Sequence, residues 1–182
     1  MGYTTYFDGA FTVTPPLNEH EISYLHEFAS TRRMERERQF YVGDDKSDVI
    51  DHNDSGSQPG LWCQWIPTVD GAGIVWDEGE KFYYPKSWLD YIINHFLTPQ
   101  SPEALSLKLA QDERFAHFTF DHSVTGVVNA QGEDSDDVWV LVAVNNATDV
   151  VLPEITWTLP SELADIAPDN GWDNGFFDRS ER

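Results

Sequence analysis

Glu80 and Lys81 lie side by side in a stretch, Gly60 to Leu97, that also holds four of the seven tryptophans and the only cysteine. A carboxylate next to an ammonium can serve as general acid and base when both reach a substrate. The same glutamate can instead simply favour the positive end of a helix that follows it. Trp62, Gln64, Trp76 and Tyr83 add flat walls and hydrogen-bonding groups, so with Glu80 they form a candidate aromatic-walled pocket. Arg32 or Arg33 would anchor an anionic substrate there, because a guanidinium fork matches carboxylate and phosphate geometry. The competing reading is plain core, since large aromatics bury first. Cys63 has no neighbouring histidine and no helix N-terminus to lower its pKa, which argues against a nucleophile.

Arg32, Arg33, Arg36 and Arg38 form the chain's main basic patch, and Glu35 and Glu37 interleave with them. Ion pairing within the chain therefore competes with ligand anchoring. Asp44, Asp45, Asp48, Asp51, His52 and Asp54 crowd one segment, but without the glycine and terminal glutamate of a calcium loop. The six histidines show no zinc spacing, and Asp121-His122 lacks a nucleophile. No phosphate loop, dinucleotide fingerprint or hydrolase elbow occurs. Neither a metal nor a cofactor is expected.

Charge is the strongest global signal. The chain has 32 acidic and 11 basic residues, a net charge of −21. After Lys108 no lysine remains. Such a surface repels nucleic acid and anionic membranes and attracts basic proteins. The turn Glu133, Asp134, Asp136, Asp137 is its densest point and the expected docking site for a basic protein partner. On this reading the chain is an acidic, non-enzymatic binding protein with an immunity-like, anti-defence or nucleic-acid-mimic role. The alternative is a small enzyme or ligand binder using the aromatic pocket. No apolar run reaches a membrane span, no secretory signal opens the chain, and a single cysteine fits a reducing compartment. The expectation is a cytoplasmic protein.

The elements that must position these groups follow from periodicity. Residues 6–14 alternate as a strand. Asn18 caps a helix with Glu21 at the capping-box position, running to about Met34. A short strand is expected over 39–44, then a polar loop to Gly60. Residues 61–67 and 74–77 read as a hairpin, and Pro85 opens a second helix that ends at Thr98-Pro99. A third helix is expected over 101–111. From Arg114 the pattern is β through Gln131, then the acidic turn, a strand over 138–145 and another over 150–157. These elements imply an α+β fold, an antiparallel sheet with two main helices on one face. Its core would be a ferredoxin-like split-βαβ arrangement extended by a C-terminal β-hairpin. Residues 1–157 would form one domain and residues 158–182 an acidic, partly ordered tail.

The motifs TTYFDGAFTVTPPL, TRRM, FYVGD, VIDHND, QPGLWCQW, WDEGEKFYYPKSWLDYIINHFL and GVVNAQGEDSDD occur in that order. Over about residues 3–146 this resembles a family of small uncharacterised proteins of bacteria, phages and other viruses. The resemblance implies an α+β domain and brings no catalytic residues with it. The chain departs from the family pattern at Glu78, where glycine is usual. It also differs at Pro85-Lys86 and at Asn129-Ala130-Gln131, where an aromatic is common.

Overall fold

The computed structural model describes residues 3–98 and 113–153. The helix expected over 101–111, the strand residues beyond 153 and the tail 158–182 lie outside the described residues. Among the described residues the fold is mixed α+β, with two α-helices and a six-stranded antiparallel sheet.

Strand β1 (Thr5–Thr14) sits inside the sheet, between β5 (Gly73–Trp76) and β6 (Ser123–Gly132). Its pairing with β6 runs from Thr5 opposite Gly132 to Thr14 opposite Ser123. The full order is β4 (Trp65–Pro67), β5, β1, β6, β7 (Val138–Val144), β8 (Ala147–Val151). Alternation decides which face is buried. Phe11 and Val13 of β1, Val124 and Val128 of β6, and Leu141 and Ala143 of β7 enter the core, whereas Thr12, Val127 and Val144 stay exposed. Helices α1 (Glu19–Ser30) and α2 (Pro85–Ile92) contribute Leu25, Phe28, Trp88 and Leu89 to that same core.

Helix α1 begins as its sequence predicts. The Asn18 side chain accepts from the backbone N–H groups of His20 and Glu21, and Glu21 reaches back to the Asn18 N–H at 2.8 Å. It ends at Ser30 rather than near Met34. Thr31 is extended, and Arg33 turns inward with its N–H on the Leu61 carbonyl at 2.9 Å. Helix α2 passes into a π-helical turn over Ile93–Leu97, which keeps Ile93, Phe96 and Leu97 buried.

Three strand expectations are corrected. Residues 39–44 are not a strand. Tyr41 instead lies beneath the guanidinium groups of Arg36 and Arg38, and Gly43 at φ 112° breaks the extended run. Short strands form at β2 (Glu35–Arg36) and β3 (Val49–Asp51), the latter inside the segment read as a loop. In the first arm of the first hairpin only Trp65–Pro67 is strand, and of the residues before it Leu61 and Trp62 stay at the surface while Cys63 and Gln64 are buried. Finally, residues 114–122 precede β6 instead of belonging to it. Phe115, Phe118 and Phe120 are all buried. A strand would send Phe115 and Phe118 to opposite faces, so a 3₁₀ turn at Glu113–Phe115 and a left-handed Phe120 aim all three inward.

Candidate functional site

The segment Asp77–Tyr84 connects β5 to α2 and, among the described residues, gathers three of the six non-glycine positive-φ backbones. Glu78, Lys81 and Tyr84 all have left-handed backbones, at φ 63°, 59° and 57°. Each costs about 1–2 kcal/mol for a residue with a Cβ, and such strain tends to gather at functional sites. What holds the loop is visible. Phe82 is buried edge-on against Phe7 and Trp65. The Trp65 indole N–H donates to the Pro85 carbonyl at 2.8 Å. The Gln64 side-chain amide donates to the Glu80 carbonyl and accepts from the Trp76 indole, both at 3.0 Å. Gly79 makes room for this, since a Cβ there would stand 2.9 Å from Gln64 Nε2.

With Phe82 drawn in, Tyr83 and Tyr84 are thrown outward. Together with the segment Gly60–Gln64 they line a cleft of about 560 Å³. Leu61, Trp62, Gln64, Glu80 and Lys81 complete its lining. Trp88 is fully buried, and its indole nitrogen has no hydrogen-bond partner. That nitrogen lies 3.7 Å from where a Cβ on Gly60, a cleft residue, would stand.

Of the seven candidate pocket residues, Trp62, Gln64, Glu80 and Tyr83 meet in this cleft. Trp76 stands behind Gln64 and orients its amide. Arg33 is buried beneath, its guanidinium stacked on Phe28 at 4.3 Å and its Nε donating to the Thr31 carbonyl. Burial lowers its pKa to about 10, so it remains a cation at neutral pH. Arg32 lines a second, smaller hollow of about 210 Å³ with Arg36, Lys46 and His52, and Trp62 borders both hollows. Periodicity did not reveal Leu61, Tyr84 or Lys46. The one available signal was the pair Tyr83-Tyr84 just before Pro85, because side chains immediately ahead of a helix start tend to be left outside the core.

The basic patch divides. Asp48 accepts from Arg36 Nη1 at 2.7 Å and Arg38 Nε at 2.8 Å, and the Arg38 and Arg36 hydrogen bonds hold its carboxyl at about 2. Cys63 is 1% exposed and burial pushes its thiol up to about 12, which removes it as a nucleophile. Among the described residues no group of three or more His, Cys, Asp or Glu side chains could hold a metal ion.

The acidic turn is exposed but tethered. Glu133 accepts from the Thr4 N–H at 2.9 Å, and Asp137 accepts from the Tyr3 hydroxyl at 2.7 Å. Glu133, Asp134 and Asp136 project to solvent.

A buried ion pair escaped the sequence reading. His122 and Glu21 are 2% and 0% exposed, with Nε2 3.1 Å from Oε1. The other ring nitrogen, Nδ1, lies 2.7 Å from the Pro15 carbonyl. Two acceptors facing both ring nitrogens call for the doubly protonated imidazolium. Burial pushes the His122 pKa down, but its hydrogen bonds to Glu21 and Pro15 outweigh that and raise it. Burial pushes Glu21 up, and the hydrogen bonds from His122, Thr119 and Asn18 bring it below its ordinary value. The pair ties the start of α1 to the segment before β6, and so belongs to the fold rather than to the cleft.

Among the described residues no helix is long and apolar enough to cross a membrane. Comparison of the chain with protein-family models, curated proteins and solved structures found no match.

Proposed function

We propose that this is a small-molecule-binding protein whose cleft takes a flat, partly apolar ligand between Trp62 and the Tyr83–Tyr84 wall. The observation behind this reading is the convergence of Trp62, Gln64, Glu80 and Tyr83 on one cavity of about 560 Å³. That size suits a small ligand, and few convergent polar groups in an aromatic wall are the usual make-up of such sites. The strained loop that presents the tyrosines supports it further, as does the unpaired Trp88 donor beside Gly60. The cleft offers stacking surface and a charged rim at Glu80 and Lys81, but no activated nucleophile, so binding is the function assigned. Trp62→Ala is the test. Trp62 is half exposed, at 48%, so the fold should survive its removal. A thermal-shift screen of flat aromatic metabolites should yield ligands whose affinity falls about tenfold or more in the variant, as for loss of a stacking aromatic. Ligands bound equally well by both proteins would place binding elsewhere.

Two finer readings accompany this one. The order β4-β5-β1-β6, antiparallel throughout, with α1 following β1 and α2 following β5, supports a ferredoxin-like split-βαβ core to which β7 and β8 add a hairpin. The left-handed backbone at Glu78 supports the family resemblance, because glycine, usual there in the pattern, is the residue that takes this conformation without steric cost.

A second reading, an acidic docking surface for a basic protein, is favoured by the tethering of the Glu133–Asp137 turn, since a pre-ordered charged surface loses less entropy on binding. Pull-down at low and high salt, with Asp134 and Asp136 changed to Asn, tests it. A basic protein held at low salt and released by either change is expected. Retention at high salt by the doubly neutralised protein would sink the idea.

A further inference from the structure

The cleft reading can be taken further by asking what lies beyond Trp62. The same indole borders the smaller hollow of about 210 Å³, so the two spaces adjoin across one side chain. Their chemistry differs. The cleft is aromatic. The hollow is lined by Arg32, Arg36 and Lys46 with one carboxylate, Asp44, while a second, Asp48, is shared between Arg36 and Arg38. That local excess of positive charge is conspicuous in a chain of net charge −21 with only 11 bases.

Arg36 makes the hollow specific. Its side chain is 3% exposed, and its Nη1 is occupied by Asp48 and the Asp45 carbonyl. Its Nε and Nη2 have no partner. These two nitrogens form one edge of the guanidinium, the edge that donates two parallel hydrogen bonds to a carboxylate or phosphate. Buried donors without acceptors are costly. Here two of them share an edge on a residue that lines a basic hollow.

We infer that the ligand is a free mononucleotide, its base in the aromatic cleft and its phosphate in the basic hollow against Arg36, with Arg32 and Lys46 beside it. This rests on the cleft reading. Aromatic walls accept any base through its π-face, and a guanidinium edge with flanking cations suits a phosphate monoester. A polynucleotide is disfavoured, because the strongly negative remainder of the protein repels an extended polyanion.

Isothermal titration of the full chain tests it, using nucleoside 5′-monophosphates of the four common bases, the matching nucleosides, inorganic phosphate and a short single-stranded oligonucleotide. At least one monophosphate should bind about tenfold or more tighter than its nucleoside, the gain expected of a charge-assisted hydrogen bond. Arg32→Gln with Lys46→Gln should erase most of that gain and leave nucleoside affinity unchanged. Trp62→Ala should weaken both. Arg36→Met should act like the double variant, and because it also breaks an ion pair its circular dichroism must first match the parent. Equal affinity for nucleoside and monophosphate overturns the inference and leaves the cleft reading standing. So does equal affinity for phosphate and monophosphate, or tighter binding of the oligonucleotide. If no nucleoside or nucleotide binds, the nucleotide assignment falls, and the cleft reading then depends on whether other flat ligands bind through Trp62.

Discussion

Replacing His122 with alanine is expected to destabilise the protein by about 3–5 kcal/mol, the cost of leaving a buried charge without its partner. Glu21 would keep its place beside the Thr119 and Asn18 N–H groups but lose the cation at 3.1 Å. Glu21→Gln should cost a similar amount, since the imidazolium is then the stranded ion. Urea unfolding of each single variant and of the double would give the coupling between them. The pH dependence carries the sign. The His122 pKa is raised in the folded protein, so its contribution is complete below the ordinary histidine value of about 6.5 and is lost as pH rises through the higher folded value. The Glu21 pKa is lowered. Its contribution is therefore complete above the ordinary carboxylate range and is lost as pH falls through the lower folded value. Stability from the pair is greatest in mildly acidic solution. Wild-type and His122→Ala curves should converge at alkaline pH and diverge near pH 5–6. Parallel curves across the whole range would show that the His122 pKa is the same folded and unfolded, so that Glu21 gives its cation no net support.

The second large effect concerns Trp65. Trp65→Ala should cost about 3–5 kcal/mol by cavity formation. Trp65 is 1% exposed and meets Phe7, Phe11 and Phe82 at 5.5, 5.5 and 5.3 Å between ring centroids. Trp65→Phe retains much of the packing and chiefly loses the bond to Pro85, so about 1 kcal/mol is expected for that bond. The two variants should also separate in binding. Phe82 and Pro85 brace the loop that projects Tyr83 and Tyr84, and with Trp65 absent both braces slacken. Trp65→Ala should then weaken cleft ligands even at temperatures where it remains folded, while Trp65→Phe largely keeps them. Denaturant midpoints together with ligand titrations would decide it. Unchanged affinity in a folded Trp65→Ala protein would mean that the loop holds its shape without this brace.

The parts of this fold that announce themselves in sequence are those governed by local rules. The Asn18–Glu21 capping box, the strand alternation of Phe11 and Val13, and Pro85 at a helix start each need only near neighbours. The elements misread are those where distant packing overrides period. Phe115, Phe118 and Phe120 take irregular backbone because the core requires all three rings. The helix stops at Ser30, where Leu61, distant in sequence, offers a carbonyl to Arg33. The cleft was half legible. Its aromatic composition marked the stretch, and four of the seven residues named for it do meet. Trp76 and Arg33 could not be excluded by spacing, since their displacement depends on Gln64 holding the Trp76 indole and on Phe28 covering the guanidinium. The unpaired edge of Arg36 has no sequence signature at all. It arises from which of its three nitrogens Asp48 happens to reach.

The position of β1 bears on how the chain is made as well as on how it is held. Its long partner is β6, encoded far downstream, and with β5 on its other flank it occupies an interior place in the sheet. During synthesis β1 emerges early and must wait, with Phe7, Phe11 and Val13 uncovered, until β6 leaves the ribosome. Ladders closed between such distant segments form slowly, because the loop entropy is lost before the contacts repay it. β5 emerges sooner but covers only a short part of one edge, so until β6 arrives the long edge of β1 stays open to mispairing with another nascent copy. Yield in a cell should accordingly depend on the translation rate over residues 15–122 and on chaperones that shield a waiting strand.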